Sequence, residues 1–146
     1  MSVRPVLSVV LALALLAVTA PALDDAREHR SDQQVSTDLV RLERAADGLA
    51  ASEDRTVGAG ARRVVTVRLP GDAWTTREVA WVAVGGVPGD PDSRLLSYRL
   101  AGGPVQQVRT GVALHTADDT PLVLDGSGSY RLVLTLAADG VHVARS

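Results

Sequence analysis

"VSTDLVRLERAADGLA", residues 35–50, decides how the rest of the chain is organised. Apolar residues recur at Val35, Leu39, Leu42, Ala46 and Leu49, while Asp38, Arg41, Glu43, Arg44 and Asp47 fall on other faces. Spacings of four and three residues put the first set on one stripe of an α-helix. Asp38 and Arg41 can pair at i, i+3, which adds only about 0.2–0.5 kcal/mol, so the helix needs its stripe buried to persist. The identity of the burying surface decides the function. Packed on the chain's own sheet, the five residues are core; packed on sister helices, they are a helix-packing interface, and one helix has room for both along its length.

Toward the N-terminus, Ser31 followed three residues later by Gln34 has the pattern of a capping box, so the amphipathic helix is expected to restart at Asp32. Further upstream, Met1 to Arg4 is a short basic region and Pro5 to Leu23 an uncharged apolar run, broken abruptly by Asp24 and Asp25. That run is close to the ~20 residues that cross a hydrocarbon core. Arg4 and the amino group favour a cytoplasmic N-terminal side, with everything after Leu23 outside. Ala20-Pro21-Ala22 also fits a signal-peptidase pattern with cleavage after Ala22, whereas Pro21 disfavours cleavage after Ala20. Both the cut and the uncut form stay open, with the length of the run favouring the uncut one. If the run is kept, Pro21 lacks the N–H that would bond back to Ala17 and should bend or break the helix there.

Toward the C-terminus the period falls from about 3.6 to 2, the mark of a passage to strands. "RRVVTVRL" at 62–69 alternates, with Val65, Val67 and Leu69 on one face. "EVAWVAV" at 78–84 is apolar on both faces and reads as a central strand. Further strands are expected at 94–100, 105–115, 121–124, 129–137 and 141–145, with Asp139-Gly140 as a tight primed hairpin turn. "GGVPGDPDS", "AGGP" and "TADDTP" read as the intervening turns. The organisation is a leader or membrane-anchor helix at 1–23, an amphipathic helix at 24–54, a linker at 55–61 and an antiparallel β-domain at 62–146.

Composition excludes several classes of function. The 15 basic residues are all Arg, the 17 acidic ones are mostly Asp, and the net charge is −2, with no concentrated basic face for a nucleic acid. There is no Cys, hence no disulfide, thiolate ligand or Cys nucleophile. His29, His115 and His142 have no metal-ligand spacing. "DGSGS" at 125–129 is a turn rather than a nucleophile elbow, and "GDPDS" and "ADDT" lack the carboxylate spacing of a calcium loop. Neither a catalytic residue, a cofactor site nor a metal site is assigned. The usage of Asp and Arg without Lys, Asn, Ile or Phe fits a GC-rich genome and looks haloarchaeal, with actinobacterial usage overlapping.

A short basic start, an apolar helix, the extension "VSTDLVRLERAADGLA" and a small antiparallel sheet together resemble type IV pilin-like proteins. More narrowly, "PALDDAR", "DLVRLERAADGLA" and "ARRVVTVRLP" look like an uncharacterised haloarchaeal family of small exported or membrane proteins. The resemblance implies an α+β protein with pilin-like architecture. Arg4 is followed by Pro5, where pilins carry Gly or Ala, and the acidic residue that pilins carry early in the apolar helix is absent. Prepilin processing is therefore not carried over to any residue. The expected function is a non-enzymatic, membrane-anchored component of a cell-surface or secretion assembly, held in the membrane through residues 5–23. It would meet protein partners or copies of itself through Val35, Leu39, Leu42, Ala46 and Leu49. The alternatives are a freely secreted binding domain cut after Ala22, and a secreted hydrolase, which requires a cleft uniting a histidine with Ser and Asp.

Overall fold

The computed structural model of the chain describes residues 3–51 and 60–146. Its first element, α1, is one helix from Val3 to Ala51, 49 residues, about 74 Å long at 1.5 Å per residue. The helix does not restart at Asp32 and does not break at Pro21, which lies inside it. A proline removes a single i to i−4 bond, and the Leu and Ala residues around Pro21 are strong helix formers that keep the remainder. The capping-box reading of Ser31 fails for a different reason: its hydroxyl is used sideways. It accepts from the Arg77 N–H and donates to the Arg77 carbonyl, both at 2.8 Å. Of the expected linker only Gly60 and Ala61 lie within the described residues, and the end of the amphipathic segment past Ala51 lies outside them.

The strands that follow are β1 (Arg62–Leu69), β2 (Val79–Val87), β3 (Asp90–Leu100), β4 (Val105–Arg109), β5 (Leu114–His115), β6 (Leu122–Asp125), β7 (Gly128–Ala137) and β8 (Gly140–Arg145). They divide between two four-stranded sheets, β1-β7-β8-β5 and β4-β3-β2-β6, where alternation alone suggested one meandering sheet. All pairs are antiparallel except β5 with β8. As the two-sided apolar pattern required, β2 is central, between β3 and β6. The stretch 105–115 is two strands, because β4 and β5 belong to different sheets. Gly85 and Gly86 extend β2 instead of leaving it: the register slips between Val84 and Gly86, and Gly86 adopts φ +134°. A Cβ there would meet the Asp90 carbonyl oxygen at 2.3 Å, so only glycine fits this bulge. In the β7–β8 hairpin, Ala137 pairs with Gly140, so Ala138 and Asp139 form the tip. The positive φ sits at Gly140, not at Asp139, and the turn is not of the primed type.

The helix face and the two sheets share one core. Val35, Leu39, Leu42, Ala46 and Leu49 are all buried, as are Val65, Val67 and Leu69 of β1, Leu132 and Leu134 of β7, and Val82, Leu96 and Leu124 of the second sheet. The stripe is thus spent on the chain's own strands. Asp38 lies among these residues at 6% exposure, where the sequence pattern put it on a polar face. Its Oδ2 accepts the Arg68 N–H at 2.9 Å and its Oδ1 the Arg41 guanidinium at 3.0 Å. β1 is an edge strand of its sheet, and a free edge N–H is an exposed liability unless something takes it. The helix carboxylate takes it and fixes the register between α1 and β1.

Leu39→Ala or Leu42→Ala should each destabilise the domain by about 2–5 kcal/mol in urea unfolding, the cost of a cavity in a packed core. The double change to Asp should abolish the folded state.

Candidate functional site

The region that joins the exposed half of α1 to the β-domain carries the most specific geometry. From Val3 to Val18 every large apolar side chain is 57 to 75% exposed. The most apolar window of the helix is wholly unburied, and by length and composition it can cross a membrane. A helix that is apolar all round and packed on nothing is not a surface helix of an aqueous domain. Burial begins one to two turns beyond Leu23, and it begins with polar groups.

Arg27 reaches Asp72 at 2.6 Å and the Thr76 carbonyl at 3.3 Å, and also pairs with Asp24 at 3.4 Å. Its Nε is buried without a hydrogen bond. Glu28 accepts from the Arg77 guanidinium at 2.7 Å. Ser31, fully buried, satisfies both backbone groups of Arg77. Asp32 accepts the Tyr98 hydroxyl at 2.5 Å. Burial of Tyr98 in the first place, and then its bond to the Asp32 carboxylate, push that hydroxyl well above the ordinary tyrosine range. Thr76 in turn donates to the Gly71 carbonyl at 2.9 Å, and Ala73 and Thr76 exchange backbone bonds, which closes residues 70–77 into a compact loop against the helix.

These contacts lie on the same stripe as Val35 and Leu39, continued upstream by steps of three and four through Ser31 and Glu28 or Arg27. A search for apolar periodicity stops at Val35 because the stripe changes chemistry there, not because it ends. The signal was present as polar residues in phase with the apolar ones. The five residues proposed for helix packing are brought together on one face, and that face is covered by β1, β3, β7 and β8.

A second cluster forms at the far edge of the first sheet. The parallel register sets His115 opposite His142, with ring centroids 5.4 Å apart. His142 Nε2 is 3.0 Å from Asp139 Oδ1, His115 Nε2 is 3.1 Å from the Asp139 carbonyl, and His115 Nδ1 is 3.8 Å from Asp119. Sequence spacing could not bring these together, since a parallel pairing joins residues far apart in the chain. His29 stands apart, exposed on α1. A shallow hollow does unite His115 with Ser93 and Asp119. Among the described residues, however, no serine hydroxyl bonds to an imidazole, which is the contact that activates a serine nucleophile. Nor, among the described residues, do three or more His, Asp or Glu side chains converge to hold a metal ion. What the cluster does is pair an exposed carboxylate: the hydrogen bond from His142 chiefly holds Asp139 below the ordinary aspartate value.

Two outcomes are expected. Ser31→Ala leaves the N–H and carbonyl of Arg77 without their buried partner and should cost about 1–3 kcal/mol in chemical denaturation. In a carboxyl NMR titration Asp139 should show a midpoint below that of an ordinary aspartate, and His142→Ala should move it up toward the ordinary value. Since the folded value is the depressed one, this pairing stabilises the fold above the ordinary aspartate value and is lost as pH falls through the folded one.

Residues 2–145 match a family described as a domain of unknown function, DUF7311. The chain matches no curated protein and no solved structure.

Proposed function

The chain belongs to the DUF7311 family, and we propose that it is a non-enzymatic, membrane-anchored, pilin-like component of a cell-surface or secretion assembly. One observation carries this reading: α1 is a single helix whose exposed half is apolar enough to span a bilayer and whose other half is the core of the β-domain. The span and the domain are thus joined by one continuous helix. For orientation the reading relies on Arg4 and the amino group at the N-terminal end of the span, which favour a cytoplasmic N-terminal side and a β-domain outside the cell.

The burial of the helix stripe supports an interaction surface elsewhere on α1. Val35, Leu39, Leu42, Ala46 and Leu49 are buried within the fold, and the exposed half of the helix is the surface we propose for contacts with sister copies or other membrane partners. In lipid such helices associate through close packing of small residues, and Ala12, Ala14, Ala17 and Ala20 supply them.

A specific observation also favours the secreted alternative. Among the described residues, the hydrogen bonds from α1 to the strands and loops begin at Arg27 or later, so cleavage after Ala22 would remove the span and leave these ties in place. Intact mass and extraction of the natural product separate the two. The anchored reading expects a chain that retains Met1 or Ser2 and leaves the membrane only in detergent. A chain beginning at Leu23 in the medium contradicts it.

A further inference from the structure

Outside α1, the exposed large apolar side chains of the described residues are Val64, Trp74, Val105 and Val123, and Trp74 is the largest and most exposed of them at 77%. Its position is not that of a stray surface residue. It lines one hollow with Leu23, Ala26, Arg27, Arg30 and Thr75. Leu23 is the last residue of the apolar run and is itself 46% exposed. The loop that carries Trp74 is held at this level by the bonds of Asp72 and the Thr76 carbonyl to Arg27, and of Arg77 to Glu28 and Ser31.

We infer that Trp74 is a second membrane contact, seated in the outer interfacial layer of the bilayer while α1 spans it. This rests on the anchored reading given above. The run Pro5 to Leu23 rises about 28 Å at 1.5 Å per residue, close to the ~30 Å of a hydrocarbon core, so Leu23 lies at its outer boundary. A side chain beside Leu23 is then at headgroup depth, where an indole, apolar with one N–H, is favoured over both water and lipid tails. Charge does not drive this placement, because the Arg27 guanidinium that lines the hollow is paired with Asp24 and Asp72. The consequence is rotational. A lone spanning helix turns freely about its axis, but a helix with an indole fixed to one side does not. Trp74 selects which face of the β-domain looks down at the lipid and which faces outward.

The test uses the full chain in phosphatidylcholine vesicles, compared with Trp74→Ala, a change at a largely exposed position outside the core that should fold as the parent does. The difference between the two emission spectra isolates Trp74 from Trp81. Co-flotation with the vesicles reports anchoring separately. The inference expects co-flotation, with a difference spectrum blue of water-exposed indole and quenched about twofold by lipid brominated near the glycerol, more than by lipid brominated near the chain end. Co-flotation with a water-like spectrum quenched by acrylamide overturns the inference and leaves the anchor standing. A blue spectrum that bromolipid does not quench overturns it too, since the indole is then covered by protein, as in contact with a second copy. If the chain does not float, the anchored reading fails and this one with it.

Discussion

Leu39 and Leu42 sit fully buried where strands of both sheets close on α1. The rest of the structure depends on that burial. The two sheets share no strand, and the side chains that unite them into one core include the whole apolar stripe of the helix. A small domain with no disulfide and an aromatic-poor core has few other ways to hold two sheets together. The helix is therefore the element on which both sheets are assembled, and anything that moves the helix moves the domain.

From this follows the mechanical character of the molecule. At its packed end α1 is fixed by apolar burial, then by a row of polar ties from Asp38 back to Arg27, which reach β1 at Arg68, β3 at Tyr98 and the 70–77 loop at Asp72, Thr76 and Arg77. No flexible joint intervenes between the last of these and the apolar run, since the helix is continuous from Val3 to Ala51. A signal sequence has no need of such continuity, because it is discarded. A stalk that must transmit position from a bilayer to a domain needs it, and the continuity supports the proposed retained form.

How much of this was legible in the sequence depends on how local each feature is. The alternation in "RRVVTVRL" named both the strand and its buried face, and the two-sided apolar pattern of 78–84 identified a central strand, because both patterns are set by residues two apart. The division into two sheets was not legible: alternation says which side of a strand is buried, not against which sheet. Ser31 was misread because Ser followed by Gln at three residues suits a capping box, while its true partner, Arg77, lies in a loop 46 positions on. Asp38 was placed on a solvent face by its charge, and is buried because an edge-strand N–H needed an acceptor. The meeting of His115 with His142 and the placement of Trp74 in one hollow with Leu23 likewise depend on tertiary structure, which no local period encodes.

The central claim is that one uninterrupted helix joins the bilayer to the core of the β-domain in the protein as it is used. Hydrogen exchange on the natural product, extracted and held in lipid, tests it most directly through peptides that cover residues 18–30. The account predicts that these peptides are present and that their amides exchange slowly through Leu23, Asp24 and Asp25, with no fast segment between the span and Arg27. Peptides that begin at Leu23, or amides that exchange freely between Leu23 and Arg27, would contradict it.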